Sequence, residues 1–176
     1  GTNVKDLSHF VIRHAQPGDE DAIAQIHVAS WQSAYAGLVP AAYLDTLDWR
    51  ERAAQWRERL RRPPAGTVVL AAQATAGLLG FAFFGPSRDV ADRDEHELYA
   101  VYVLPRAWRS GVGSALLNAG LSDLAGRAER VSLWVLRDNL PARGFYKRHG
   151  FETDGASKAI TLGGAELVEV RYLKRL

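Results

Sequence analysis

The chain has 176 residues, 47% of them hydrophobic and 24% charged, which is the balance of a water-soluble globular protein, and its length predicts one domain rather than two. Its formal net charge of +2 is too small to indicate nucleic-acid binding, and no segment reaches the roughly 20 apolar residues that cross a bilayer. Without cysteine there is no disulfide, thiolate metal site or cysteine nucleophile, and a reducing, cytoplasmic location is expected.

Breaker residues separate the predicted elements in the first third of the chain. The segment "HFVIRHA" predicts a strand, and apolar residues at helical spacing after Pro17 predict a helix that "GLVP" ends. A second helical region is predicted from about Ala41 to Arg62, because the prolines and glycine of "RPPAG" cannot continue it.

The remaining two thirds are predicted to be rich in strands. The segments "TVVLAAQ" and "GLLGFAFFG" predict a hairpin that turns at Ala76 and Gly77, and "HELYAVYVL" predicts the next strand. A helix to about Leu124, the strand "RVSLWVL", the short helix "PARGFYKRH" and two strands around Gly163 and Gly164 complete the order. This order predicts an α/β fold, one domain over residues 1–176, whose sheet is antiparallel at first and then gains a parallel crossover.

The stretch "RSGVGSALL", Arg109 to Leu117, places two glycines at a predicted strand-to-helix turn. Free backbone N–H groups and the positive end of the helix dipole make such a turn suitable for an anion. It is not a dinucleotide fingerprint, because Leu116 stands where the third glycine is needed, and no Gly-Lys-Ser/Thr of a P-loop occurs. Alone, the two glycines fit a closely packed turn equally well.

Two blocks together carry a resemblance. "ELYAVYVLPRAWRSGVGSALL", followed about 25 residues later by "NLPARGFYKRHGF", resembles the GCN5-related N-acetyltransferase (GNAT) superfamily. The residues that match the two family motifs are Gly111, Gly113, Asn139, Ala142, Phe145, Tyr146, Gly150 and Phe151. One departure is Trp108, where the family usually has Gln or Arg.

The resemblance implies the GNAT fold, a single domain with a mixed, centrally splayed sheet flanked by helices. It implies an acetyl-CoA core at about residues 95–151 and an acceptor-site segment at about 17–62. The implied activity is transfer of acetyl from acetyl-CoA to a primary amine of a small molecule or peptide, by direct attack through a tetrahedral intermediate. The alternative is a catalytically silent CoA-binding sensor or interaction module. No metal, nucleic acid or membrane partner is expected, and the oligomeric state, a homodimer included, stays open.

The resemblance also implies which residues hold the acetyl donor. The backbone of a splayed strand would pair with the pantetheine arm, the glycine turn would hold the pyrophosphate, and the second motif would contact the arm from the other side. Asn139 fits an ordinary helix N-cap as well. The implied positions are Val101, Tyr102, Val103, Arg109, Ser110, Gly111, Val112, Gly113, Ser114, Asn139, Ala142 and Tyr146.

Two residues are the candidates for proton transfer. Tyr146 occupies the family's tyrosine position and is expected to protonate the departing thiolate, against the alternative of a tyrosine that only packs. Glu97 is expected to take the proton from the amine, sharing a face with Val101 and Val103 if the strand is regular. Glu95, water, or a merely solvated Glu97 remain open.

The acceptor site is the least defined part of the sequence. Trp31 and Tyr35, four residues apart on one predicted helix, and Trp134 are candidate pocket walls, although Trp31 and Tyr35 fit core aromatics as well. The segment "RDVADRDEHE", residues 88–97, carries five carboxylates that would attract a cationic amine or simply be solvated. The five histidines show no metal-ligand spacing, so no metal site is predicted.

Overall fold

The computed structural model describes residues 9–176, so residues 1–8 of the predicted domain lie outside the described part. Seven strands form one sheet in the order β1-β2-β3-β4-β5-β7-β6. In residues 9–176 no helix is both long and apolar enough to span a membrane. The elements are β1 (Phe10–His14), α1 (Glu20–Ala34), α2 (Ala41–Asp45), α3 (Trp49–Arg61), β2 (Val68–Ala74), β3 (Gly77–Pro86), β4 (Glu95–Val103), a 3-10 turn (Pro105–Ala107), α4 (Val112–Leu124), β5 (Arg130–Leu136), α5 (Leu140–Arg148), β6 (Glu152–Leu162) and β7 (Ala165–Arg175).

The predicted order of elements is confirmed with one correction, in the region predicted as a helix from Ala41 to Arg62. The region forms two helices, α2 and α3. The Thr46 hydroxyl donates to the carbonyl of Tyr43 at 2.6 Å and so competes with the helical hydrogen bond, while the Asp48 carboxylate accepts from the backbone N–H of Arg50 at 2.9 Å and caps a new helix. Two polar side chains therefore end one helix and start the next.

The predicted splay at the centre of the sheet is confirmed. Strands β4 and β5 are parallel and pair only from Glu95, opposite Arg130, to Glu97, opposite Ser132. Every other pair of neighbouring strands in the sheet is antiparallel. Beyond Glu97 both strands continue without pairing to each other, so a gap opens in the middle of the sheet.

Helices cover both faces of the sheet. Helices α4 and α5 pack with Leu98, Val101 and Val103 of β4 in one apolar core. Helices α1 and α3 pack on the other face, where Ala100 and Tyr102 of the same strand join a second core. The gap between β4 and β5 therefore connects two separately packed sides.

The prediction that Glu97 shares a face with Val101 and Val103 is wrong. A β-bulge interrupts β4, because Phe83 pairs with Ala100 while the next residue of β3 pairs with Leu98. The extra residue, Tyr99, shifts the alternation by one. Glu97 consequently lies on the side of α1, opposite to the two valines.

Candidate active site

The glycine turn predicted to bind phosphates forms the N-terminus of α4. Gly111 is its N-cap, with a φ of 87° that favours glycine, and Arg109 also has a positive φ, of 62°. Within residues 9–176, the backbone N–H groups of the helix's first turn, from Val112 to Ser114, donate to no carbonyl, and the helical bonds begin with Ala115 donating to Gly111 at 3.0 Å. The turn thus presents free donors at a positive helix end, which fits a pyrophosphate.

Three predicted segments meet at Gly113. A Cβ placed on this glycine would lie 3.5 Å from the ring of Phe145 on α5 and 3.7 Å from the side chain of Val103 on β4. A methyl group therefore fits, but a longer side chain would occupy the space between α4 and α5 beside the turn. The first turn of α4, the splayed strand and the second motif accordingly meet at one place.

The backbone of β4 beyond the bulge faces the gap at alternate residues. Leu104 donates to Leu79 of β3, and alternation in the antiparallel ladder therefore directs the backbone groups of Val101 and Val103 toward the gap and those of Tyr102 toward β3. The Val103 carbonyl is already occupied.

Two side chains donate to that carbonyl, Trp108 through its indole at 2.8 Å and Ser30 through its hydroxyl at 3.1 Å. The departure from the family pattern at Trp108 thus has a structural role, because the indole ties the loop after β4 to the strand. Of the backbone groups predicted to hold the pantetheine arm, those of Val101 and the N–H of Val103 remain for it.

The second motif forms α5. Asn139 is buried and caps this helix, its side-chain oxygen accepting from the backbone N–H of Ala142 at 3.3 Å. Of the two roles predicted for Asn139, the structure shows the helix cap. The amide nitrogen of Asn139 donates to no residue between 9 and 176, so a contact from Asn139 to the pantetheine arm stays a prediction.

Tyr146 on α5 packs in the core beside Val101 and Val103, with its ring 5.4 Å from that of Phe145. Its hydroxyl makes no hydrogen bond to any described residue. Burial first, and then the nearby Tyr102, raise the pKa of Tyr146 well above its usual range. The hydroxyl therefore keeps its proton at neutral pH and is a weaker acid than an exposed tyrosine.

Glu97 lies at the closed end of the gap and its side chain is 1% exposed. Arg88 occupies both carboxylate oxygens: its backbone N–H donates at 2.9 Å, and its guanidinium donates at 3.1 and 2.5 Å. A buried carboxylate needs such partners. These three bonds also occupy lone pairs that a general base would need.

The aromatic residues predicted as pocket walls line the α1 side of the gap. Trp31 and Tyr35 contact edge to face with ring centres 4.7 Å apart, and the Trp31 indole donates to the hydroxyl of Tyr102 at 2.9 Å. Burial first, and then Tyr102, raise the pKa of the Tyr35 hydroxyl. The structure therefore brings two predicted wall residues to a third, Tyr102, whose side chain sequence reasoning did not assign.

Trp134 lies on the same side of the sheet, on β5. Its indole donates to Asp89 at 2.8 Å, and the ammonium of Lys158 lies 4.1 Å from the ring centre. Glu169 on β7 lies next to Lys158 of β6, with a carboxylate oxygen 4.0 Å from the ammonium nitrogen. Sequence reasoning missed Lys158 and Glu169, because alternation along a final strand shows which residues share a face but not what that face meets.

The acidic segment 88–97 is largely neutralised by arginines. Asp92 and Glu95 face Arg130 at 2.9 and 3.7 Å, Asp89 faces Arg171 at 3.5 Å, and Glu97 is bound by Arg88. Pairs of this kind leave little net field outside the loop.

Residues 21–151 of the sequence match the model of the acetyltransferase (GNAT) family. The chain belongs to that family. The GNAT match spans both motifs, and it includes the first helix, which carries Trp31 and Tyr35.

Relatives agree with this membership over nearly the whole length. The chain is 32% identical over 160 residues to the uncharacterized N-acetyltransferase YuaI of Bacillus subtilis, covering 90% of this chain and 89% of YuaI. It is 32% identical over 176 residues to the L-amino acid N-acetyltransferase AaaT of Escherichia coli, covering 97% and 99%. The GNAT fold also matches the PaiA N-acetyltransferase of Thermoplasma acidophilum, solved with coenzyme A, at a TM-score of 0.77 and 21% identity, covering 96% and 99%.

Proposed function

We propose that the chain transfers an acetyl group from acetyl-CoA to the primary amine of a small acceptor, with free amino acids as the first class to test. The observation that carries this proposal is the α1 side of the gap, which we call the acceptor side, where aromatic side chains lie beside charges of both signs. The carboxylate of Glu169 suits an ammonium group, and the nearby ammonium of Lys158 suits a carboxylate. The likeness to AaaT, named as an L-amino acid N-acetyltransferase, supports the same class.

On the side of α4 and α5, the residues fit acetyl-CoA, the acetyl donor. When bound, acetyl-CoA supplies a thioester that is activated for attack by an amine. The N–H groups at the start of α4 would hold its pyrophosphate, and the backbone of Val101 would bind its arm. We propose Tyr146 as the acid that gives a proton to the sulfur, since its hydroxyl is protonated, free of partners in the described residues, and borders the gap.

The chemistry requires an unprotonated amine, because an amine of pKa about 10 is charged at neutral pH. A carboxylate on the acceptor side would remove that proton, and positioning of amine and thioester would lower the barrier further. The rest of the rate enhancement would come from backbone N–H groups that meet the developing oxyanion.

The test measures thiol release from acetyl-CoA by the full chain with L-phenylalanine, L-leucine and L-lysine. Each amino acid is paired with its decarboxylated amine, and mass spectrometry checks for the N-acetyl product. We expect turnover with at least one amino acid and a KM about tenfold higher for its decarboxylated partner, because a carboxylate that meets Lys158 contributes on the order of 1.4 kcal/mol. Turnover with the amine alone, at equal KM, would contradict the amino-acid class. Tight CoA binding without turnover of any acceptor would instead indicate a silent CoA-binding module.

A further inference from the structure

Glu97 and Glu169 both face the α1 side of the gap, the proposed acceptor side, and they differ in how many donors hold them. Glu97 is at the closed end, in the last pair between β4 and β5. Glu169 is on β7, opposite Leu136 at the end of β5 and opposite Lys158 on β6. Both lie on the face that also carries Trp134 and Tyr102.

Most of the lone pairs of the Glu97 carboxylate are occupied. Its two oxygens receive three hydrogen bonds from Arg88, and the side chain is 1% exposed. Arg88 therefore lies between this carboxylate and an incoming ammonium group, and its bonds to Glu97 would have to break or lengthen for the amine to reach it.

The carboxylate of Glu169 differs from that of Glu97 in its hydrogen bonds. It accepts no hydrogen bond from any residue between 9 and 176, and its nearest cation, Lys158, lies at 4.0 Å, beyond hydrogen-bond distance. Its side chain is 21% exposed, so it is partly removed from water and still reachable. A carboxylate with free lone pairs at an accessible site is suited to accept a proton.

The position of Glu169 along β7 also suits a role at the open part of the gap. Leu136, its partner on β5, is four residues beyond Ser132, where pairing with β4 ends. Tyr102 is five residues beyond Glu97 on the other strand. Glu169 and Tyr102 therefore lie at the same level of the open gap. Burial is the main cause that raises the pKa of Tyr102 and of Tyr35, and Glu169 adds a small increase to each.

We propose that Glu169 takes the proton from the ammonium group of the acceptor and that Glu97 is a positioning residue that holds Arg88. The inference rests on the proposed function above. The ammonium N–H bond breaks and its proton goes to a Glu169 oxygen. The freed nitrogen lone pair then forms the C–N bond at the thioester carbonyl carbon. Formation of the C–N bond moves the carbonyl π electrons onto oxygen, and their return breaks the C–S bond with its electron pair on sulfur. Sulfur takes the Tyr146 proton, the second proton lost by nitrogen restores Tyr146 through solvent, and Glu169 releases its proton to solvent.

The surroundings of Glu169 set its basicity. Burial is the main cause that raises its pKa, and Glu97 raises it further, while Lys158 and Arg88 lower it. A carboxyl with a raised pKa is a stronger base once it is ionised. The titratable and charged groups near it are Lys158 on β6, Arg88 and Glu97 from the β3–β4 region, Arg171 on β7, Tyr35 on α1 and Tyr102 on β4.

The experiment compares Glu169→Gln, Glu97→Gln and the control Glu166→Gln, an exposed glutamate on the same strand. The substrate is the amino acid that the wild type turns over best. For Glu169→Gln we expect kcat/KM at pH 7 to fall about 100-fold with acetyl-CoA affinity unchanged, and to recover as the pH approaches the pKa of the acceptor amine. Glu97→Gln should raise the acceptor KM more than it lowers kcat, and Glu166→Gln should match the wild type.

A second readout does not need activity. Because the pKa of Glu169 is raised on folding, the wild type loses stability as the pH rises through the unfolded value and then the folded value of that pKa. As the pH rises above the unfolded value of about 4.3, Glu169→Gln should therefore gain unfolding free energy relative to the wild type. In the activity assay, Glu169→Asp should keep part of the turnover.

The outcomes separate the two proposals. If the wild type acetylates amino acids and Glu169→Gln keeps kcat/KM within twofold at pH 7, Glu169 is not the base and the inference fails alone. If Glu97→Gln shows the 100-fold loss with recovery at high pH, Glu97 is the base. If the wild type acetylates none of the acceptors, the proposed function fails and the inference fails with it.

Discussion

The two sides of the gap between β4 and β5 are built in different ways. On the side of α4 and α5, the groups that fit the donor are backbone N–H groups, and the side chains around them are apolar. On the opposite side, the groups beside the gap are aromatic rings and charged side chains, and most of the charges are paired with one another.

This difference reflects how each side is encoded. The donor side depends on a short local conformation, since Gly111 needs only a positive φ and a helix after it. The acceptor side depends on contacts between distant segments: Trp31 meets Tyr102 across 71 positions, and Asp89 meets Trp134 across 45. A local motif can be recognised in a sequence, whereas a long-range contact exists only after folding.

The largest expected effect tests the donor side. Replacing Gly113 by Asp places a charged side chain between Phe145 and the phosphate-binding turn, where it would repel a pyrophosphate. We expect acetyl-CoA affinity, measured by calorimetry, to fall by at least about 100-fold. Gly113→Asn has the same size without the charge and separates the two causes, and unchanged binding by the Asp variant would exclude the turn as the phosphate site.

Next in size is the loss of the proposed acid. Tyr146→Phe keeps the ring that packs beside Phe145 and Phe151 but removes the hydroxyl proton. We expect kcat to fall about 100-fold with acetyl-CoA affinity nearly unchanged. Tyr172→Phe is a control in the same core, because its hydroxyl accepts from Arg143 and borders no proposed step. A fully active Tyr146→Phe variant would leave positioning as the source of catalysis.

A smaller effect is expected on the acceptor side. Trp31→Phe removes the indole that donates to Tyr102 and leaves an aromatic wall. Since one hydrogen bond contributes about 1 kcal/mol, the acceptor KM should rise roughly fivefold while acetyl-CoA affinity stays the same. The control is Trp49→Phe, a half-buried tryptophan at the start of α3. An equal change in both variants would show that general packing is responsible.

The smallest expected effect concerns His27 and the pH dependence of stability. His27 stacks on Tyr102 with ring centres 5.0 Å apart. Burial first, and then Arg52 and Arg59, lower its pKa to about 3. The folded protein therefore keeps His27 neutral while the unfolded chain protonates it below about pH 6.5, so stability falls as the pH drops. In denaturant titrations between pH 6 and 5, His27→Phe should reduce this loss by about 1.4 kcal/mol per pH unit. An unchanged slope would show that His27 is protonated in the fold.

The sequence by itself determined the family, the glycine turn and the order of the elements apart from the division of the 41–62 region into two helices, because each depends on local periodicity, turn residues or a contiguous motif. The splay was expected only because the family resemblance implies it. The sequence also placed Tyr146, and it named Trp31, Tyr35 and Trp134 before any contact among them was known.

Only the tertiary structure decided how the acceptor side is arranged. The bulge at Tyr99 moved Glu97 to that side, and nothing in the strand's own alternation shows a bulge, because it arises from pairing with β3. Arg88 then occupied the Glu97 carboxylate, and β7 brought Glu169 to the gap from the far end of the chain. Which carboxylate is held and which is free follows from long-range packing, and packing is a property of the folded chain as a whole.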